Sequence, residues 1–337
     1  MTATTHAIGE PVLPPAQMHL VLPTAPVTAR VVSNELCMKG KSASFVRHVV
    51  IDVGGTPLEG NFLAGQSFGI VPPGVDAHGK PHKVRLYSIA SPGYGEDGRG
   101  RVMSTTPKRL IAEREPQTAG ESAEDHSLFL GRCSNYLCDL RPGDPVQVSG
   151  PSGKRFVLPV DRNAHDYLLL ATGTGIAPFR GFIHELFVGP PEDSPARAGW
   201  AACRSQVHLV MGTPYTTDLL YDDFLREVAA RHPNFHYHVA ISRESRPDGG
   251  RGEYVHQLLD RRWAEFQPLF TSSRTLLYVC GLAGMQVGLF QLLGARGVHG
   301  GFVTVGPEIA EVPPATWTPD QVKRRVRPTH RCMLEVY

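Results

Sequence analysis

The hydrophobic pattern changes its period near Pro159, and that change restricts the chain to a small set of architectures. From Thr28 to about Leu158 the apolar runs are short, rich in Val and Ile, and separated by Gly/Pro turns, as in ARVVSN, FVRHVVIDV, SFGIVPP, VRLYSIA and DPVQVSG. Runs of that kind make the strands of an antiparallel barrel or sandwich. Downstream, fully apolar runs alternate with helix-length amphipathic segments: DYLLLATG leads into APFRGFIHELF, QVHLVMG into TTDLLYDDFLREVAARH, and TLLYVCG into AGMQVGLFQLLGARG. Strands apolar at every position belong in a parallel sheet covered on both faces, which binds ligands beyond its carboxyl edge. The expected fold is an N-terminal antiparallel β-barrel, residues 28–160, followed by a parallel-sheet α/β domain, residues 161–337. Residues 1–27 carry Pro11, Pro14, Pro15, Pro23 and Pro26 without sustained periodicity and predict a mobile or extended arm.

A chain of 337 residues with 41% hydrophobic content can bury two cores without disulfide or metal staples. Its 34 basic and 32 acidic residues leave a formal charge of +2, so no global field marks it for nucleic acid, and charge that guides a partner must be local. No run reaches the roughly 20 apolar residues that cross a bilayer, and the start, MTATTHAIGEP, lacks a basic stretch followed by an apolar one; a soluble cytoplasmic protein is expected. Cys37, Cys133, Cys138, Cys203, Cys280 and Cys332 lack the paired short spacings of zinc or iron–sulfur sites, which predicts free thiols. The histidines form no His-x-x-x-His on a plausible helix, and no protein-bound metal is expected.

Two short motifs carry chemistry. Gly173-Thr174-Gly175-Ile176-Ala177-Pro178 lies where an apolar strand turns into a helix, where backbone amides and the helix start favour a pyrophosphate. Pro178 stands in place of the third glycine of the usual dinucleotide fingerprint and suits a first helical turn. A G-x-G at a strand end also closes tight turns that hold no ligand. Arg85-Leu86-Tyr87-Ser88 lies on a strand of the first domain, and alternation puts Arg85 and Tyr87 on one face, a guanidinium for a phosphate and a phenol ring for a heterocycle. Taken alone, that string equally describes a solvated Arg beside a half-buried Tyr.

RLYSIAS at 85–91, CSNYLCDL at 133–140, GTGIAPFRGF at 173–182, AISRE at 240–244, YVCGLAGM at 278–285 and the final Glu335-Val336-Tyr337 together resemble the plant-type ferredoxin–NADP(+) reductases, in that family's order. The likeness covers roughly residues 28–305 and 318–337. It implies a flavoenzyme with FAD and NADP(H) as cofactors, moving electrons between a two-electron nicotinamide and a one-electron carrier, ferredoxin or flavodoxin. It implies that Arg85, Leu86, Tyr87, Ser88, Lys108, Gly131, Arg132, Cys133, Ser134 and Tyr337 hold FAD. It gives Gly173, Thr174, Gly175, Pro178, Ser242, Arg243, Arg251, Tyr254, Cys280, Gly281 and Leu282 to NADP. Ser88, Cys280, Glu335 and Tyr337 form the catalytic set, with Tyr337 a removable lid over the flavin face that the nicotinamide must occupy. Arginines and hydroxyls after FHYHVAIS suit the 2′-phosphate of NADP, whereas an acidic residue would suit NAD.

The pattern breaks in three places. The family's adenine-stacking tyrosine falls on Ala112; the loop around Arg251 is one residue longer and His256 replaces a glutamine; and residues 300–317, GGFVTVGPEIAEVPPATW, are unlike the family and read as a loop near the site's rim. Lys39, Lys41, Lys80, Lys83 and Arg99 are the candidate partner-docking cations. A reductase serving an oxygenase system, or a flavin-binding regulatory protein without turnover, are the alternative functions.

Overall fold

The computed structural model describes residues 10–42, 44–76, 78–113 and 128–337. Strands β1 (Val27–Leu36), β2 (Arg47–Asp52), β3 (Ser67–Val71), β4 (Arg85–Ser88) and β5 (Val102–Thr105) join β8 (Pro145–Ser152) in an antiparallel sheet ordered β4-β3-β8-β1-β2-β5. The amide of Ala90, just past β4, donates to Ser104 O on β5 at 2.8 Å, so the first and last strands meet and the sheet curls into a barrel. Inside lie Val31, Val49, Ile51, Phe68, Ile70, Met103 and Val148, and helix α1 (Arg132–Asp139) adds the buried Cys133 and Leu137 to that core. A short hairpin, β6 (Ile111–Glu113) with β7 (Leu128–Leu130), projects just before α1.

Strands β9 (Asp166–Thr172), β10 (Val207–Thr213), β11 (Phe235–Ile241), β12 (Thr275–Gly281) and β15 (Cys332–Val336) form a five-stranded parallel sheet ordered β11-β10-β9-β12-β15. Side-chain alternation along β9 divides its apolar run between two cores. Tyr167, Leu169 and Ala171 enter one with α2 (Ala177–Ile183) and α3 (Asp222–Arg231). Leu168 and Leu170 enter the other with α4 (Val255–Arg261), α5 (Trp263–Thr271) and α6 (Ala283–Ala295). Covering both faces explains why β10 and β12 are buried at every residue and read as unbroken apolar runs. The chain moves outward from β9 to β11 and returns to β12 on the other side of β9, so the topological switch point lies between β9 and β12.

The two domains share packing. Val46, Ala64, Phe156 and Leu158 from the barrel side belong to the same core as Phe179, Phe182 and Tyr278, and the Tyr278 hydroxyl donates to Val157 O at 2.8 Å. A polar knot adds to the join. Arg180 on α2 meets Glu96 at 2.6 Å, and the Tyr221 hydroxyl meets His48 Nδ1 at 2.8 Å and Thr106 Oγ1 at 2.6 Å.

One local expectation is narrowed and another overturned. Of the arm, residues 1–9 lie outside the described residues, but from Glu10 onward it is extended and fastened: Val21 is buried and exchanges two backbone bonds with Gly150, and Val160 N donates to Val12 O at 2.9 Å. Residues 300–317 do not form a rim loop. Phe302, Val303, Ile309 and Trp317 are buried in the α5/α6 core, and β13 (Val303–Val305) pairs with β14 (Val326–Pro328). Trp317 O accepts from Gln291 near the carboxyl end of α6, while the switch point lies at that helix's amino end. The proline-rich spacing hid the period of those apolar residues; helix α7 (Pro319–Arg325) then leads back to β14.

Candidate active site at the domain seam

The barrel and the parallel sheet meet at the carboxyl ends of β9, β12 and β15. Cys280 on β12 stands in register with Ala171 on one side and Glu335 on the other, which places thiol and carboxylate on adjacent strands. From the barrel, Ser88 lies close enough to the Cys280 thiol to favour its charged form, and Ser67 Oγ donates to Glu335 Oε2 at 3.4 Å. Ser67 and Ser88 are themselves cross-strand partners. The cluster thus exists only because two domains supply it. Of its members, Ser67 was not identified from sequence; one Ser in a strand carries no signal until its cross-strand partner is known.

Burial governs the protonation of this cluster. It pushes the Cys280 thiol far up, a tendency that Glu335 reinforces and the neighbouring Ser88 hydroxyl opposes, so the sulfur stays a neutral thiol. Burial also raises Glu335 from 4.5 to about 7, partly offset by the Ser67 hydrogen bond, which lets the carboxyl group bind or release a proton near neutral pH.

Backbone geometry fixes the nucleotide turn beside this cluster. A Cβ on Gly175 would lie 2.2 Å from Cys280 O, so only glycine lets the turn after β9 approach β12 this closely. Gly281 has φ +137°, and a Cβ there would meet Thr172 Oγ1 at 2.1 Å. Thr172 Oγ1 instead accepts from Leu282 N at 2.9 Å, stitching the two strand ends together. Tyr337 closes the set: its amide donates to Gly281 O at 3.0 Å, and its hydroxyl lies 2.7 Å from Thr174 Oγ1. The ring nonetheless remains 61% exposed, so little packing opposes its displacement. Gly173 adopts φ +53° at the mouth of the turn, whereas Pro178 is buried in the first turn of α2 and offers no side-chain surface there.

On the barrel side, Arg85 and Leu86 are exposed and Tyr87 is half-buried. Burial, strengthened by the neighbouring Cys133, raises the Tyr87 phenol, and both residues pack with the barrel core. At that start Gly131 N already donates to Leu110 O at 2.9 Å, so Gly131 has no free amide for a ligand; the first-turn amides belong to Arg132, Cys133 and Ser134. Lys108 is exposed at an isolated bridge with Val46.

At the other end of the groove, Ser242 N and Arg243 N donate to Thr213 O and Pro214 O, which fixes the loop after β11. The buried Glu253, unnoticed in the sequence, receives Arg261 at 2.5 Å and Arg246 at 3.5 Å. No carboxylate pairs with Arg243 or Arg251 among the described residues, so both guanidiniums face outward uncommitted. Tyr254 is exposed, with its ring 6.0 Å from that of His256 and 9° from parallel.

Of the five candidate docking cations, Lys39 pairs with Asp223 and Arg99 with Asp193, while Lys41, Lys80 and Lys83 are exposed. A separate group, His208, His238 and Glu265, holds donor atoms close together on the far sheet edge. There Arg262 Nη1 donates to His238 Nδ1 at 3.0 Å, which leaves the proton on Nε2, aimed at His208 Nδ1 3.2 Å away. That is a hydrogen-bonded chain, which no spacing in the sequence anticipates.

Comparison with known proteins agrees with this geometry. The family profile for the oxidoreductase NAD-binding domain matches residues 169–289. The ferredoxin–NADP reductase of Thermosynechococcus vestitus is 37% identical over 84% of this chain and 69% of its own length. The chloroplastic leaf isozyme 1 of Arabidopsis thaliana is 35% identical over 80% of this chain and 70% of its own. The solved ferredoxin–NADP+ reductase of Plasmodium falciparum shares the fold, with a TM-score of 0.64 and 22% identity over 95% of this chain and 99% of that one. With the relatives matched along both domains and a two-domain site at the switch point, the chain belongs to the ferredoxin–NADP reductase family.

Proposed function

We propose that this chain transfers electrons between NADP(H) and ferredoxin through FAD held at the domain seam. The observation that carries this reading is the Ser88–Cys280–Glu335 cluster, assembled from both domains beside the Gly173–Gly175 turn. The residues present fit FAD. An outward guanidinium at Arg85, a half-buried aromatic ring at Tyr87 and the first-turn amides of α1 form a donor set suited to a diphosphate and a flat heterocycle. When bound, FAD accepts two electrons from a nicotinamide and releases them singly to a one-electron carrier.

The protein's own work is binding, orientation and proton control. Arg85 neutralises phosphate charge and Tyr87 provides a ring whose position the barrel core fixes. Ser88 neighbours the Cys280 thiol, which lines the place the nicotinamide must enter, and Gly281 and Leu282 shape the same edge. Tyr337 covers the turn and yields to the nicotinamide. Glu335 binds and releases the proton that accompanies two-electron chemistry, since its carboxyl group titrates near pH 7. Arg243, Arg251, Ser242 and Tyr254 receive the ribose 2′-phosphate. Ferredoxin docks beside Lys80 and Lys83, both exposed in the stretch leading into β4. A flavodoxin uses the same surface. The six free thiols accord with a reducing compartment, the cytoplasm, and no helix among the described residues is long and apolar enough to cross a membrane.

Anaerobic titration of the yellow protein tests this reading: NADPH should bleach the flavin absorbance and NADH should do so poorly. A flavin-loaded protein that neither nucleotide reduces would overturn it. Arg251→Ala should weaken NADPH binding by about tenfold or more and leave NADH unaffected, because the lost bond goes to a charged group present only in NADPH. Inhibition by 2′-AMP, measured on the same variant, should weaken in parallel.

A further inference from the structure

The hairpin β6/β7 projects from the diphosphate cradle and leaves an unusual amount of apolar surface in water. Leu110, Ile111, Leu128, Phe129 and Leu130 are all about half exposed or more. None belongs to any of the three cores. Contiguous apolar patches on a soluble protein generally mark a binding site.

Position identifies the occupant. The hairpin's first rung, Ile111 opposite Leu130, adjoins the contact in which Gly131 N donates to Leu110 O, at the entrance to α1. The next rung sets Ala112 opposite Phe129. Directly opposed residues of an antiparallel pair project from the same face with Cβ atoms about 5 Å apart. A small residue and an aromatic ring therefore share one face, a shelf with a wall, on the second rung from the amides assigned to the diphosphate. A flat group joined to that diphosphate reaches the shelf without leaving the surface.

We propose that Phe129 is the residue that binds the adenine of FAD, its ring taking the stacking contact that Ala112 cannot make while Ala112 leaves room for the base. This rests on the FAD reading above. The stacking function has moved across the hairpin, from one strand to the residue facing it, so the cofactor keeps a purine platform without a tyrosine on β6. The opposite hairpin face, carrying Ile111 and Leu130, presents aliphatic side chains with no ring to stack on.

The experiment compares FAD with FMN, which lacks the adenylate half. With full-length protein, each flavin's affinity is read from the recovery of flavin fluorescence on serial dilution, and their ratio from direct competition. Phe129→Ala should reduce the FAD-over-FMN preference roughly tenfold to a hundredfold, with FMN affinity unchanged, by the usual strength of base–aromatic stacking. Phe129→Trp should restore the preference. Because Phe129 lies outside every core, its loss should leave the thermal midpoint of the flavin-free protein in place, which separates this effect from misfolding. An unchanged preference in Phe129→Ala, or equal weakening of FAD and FMN, would overturn the assignment. Wild-type protein that binds neither flavin would instead remove the FAD reading itself.

Discussion

Glu335→Gln is expected to slow turnover by about a hundredfold or more, the lower range for losing a positioned acid–base group, and at the same time to make the protein more stable at pH 8. Both effects follow from one carboxyl group. Burial holds its folded-state pKa at about 7 against 4.5 when unfolded. Between those values the native chain retains a proton that the unfolded chain has released, so stability falls as pH rises through that window and stays low above it. The full difference is about 3 kcal/mol. Glutamine keeps the shape and the Ser67 contact but cannot ionise. Urea denaturation at pH 4 and pH 8 should therefore show a pH-dependent loss in the wild type that is smaller in the variant. The pH profile of turnover should lose its inflection near 7 in Glu335→Gln. A variant destabilised equally at both pH values would show that Glu335 acts as a packing residue.

Arg180→Ala should cost about 3–5 kcal/mol of stability, because it strands a carboxylate whose side chain is only 20% exposed. Arg180 offers Nη1 to Glu96 Oε1 at 2.6 Å and Nη2 to Oε2 at 3.1 Å, and Nη1 also meets Ala90 O at 3.1 Å. Burial, the largest single influence on Glu96, pushes its pKa up, but the bonds and charges of His48 and Arg180 outweigh it and hold the carboxyl well below its usual range. A depressed pKa contributes stability above the unfolded value of 4.5, which is lost as pH falls below it. Wild-type protein should thus weaken in acid, and Arg180→Ala should be weak already at pH 7. The double variant Arg180→Met/Glu96→Gln should recover much of the loss, since neither charge then remains buried. Chemical denaturation of the three proteins at pH 7 decides the matter. Equal stabilities for the single and double variants would mean that lost packing, and not an unpaired charge, accounts for the loss.

The parallel sheet was legible because β9, β10 and β12 are buried on both faces and their residues had to be apolar throughout. The barrel strands, half-buried and punctuated by turns, were legible as a class. Most of the proposed site was read from likeness, and the structure supplies what likeness does not carry. Ser67 and Glu253 matter through partners 268 and eight residues away in sequence, and no local pattern encodes such a pairing. Tyr221 sits inside a stretch that reads as one amphipathic helix, yet it takes φ +57° and breaks that helix so that its hydroxyl can reach the barrel. Residues 300–317 misled because prolines interrupt the spacing of side chains that are nonetheless buried.

The missing side chain at Gly175 also bears on how this protein can change over evolutionary time. Every other amino acid would add an atom where the Cys280 carbonyl already sits, so the turn and the thiol strand form one unit that mutation can abandon but not adjust. The loop from Ser242 to Tyr254 is tight only in its backbone, where a Cβ on Gly252 would lie 2.6 Å from Ser242 O; the side chains of Arg243, Arg251 and Tyr254 are exposed, and the loop is anchored through Glu253. A lineage under pressure to use a different nucleotide would find its accessible variants there, at the ribose end, while the reacting end stayed as it is.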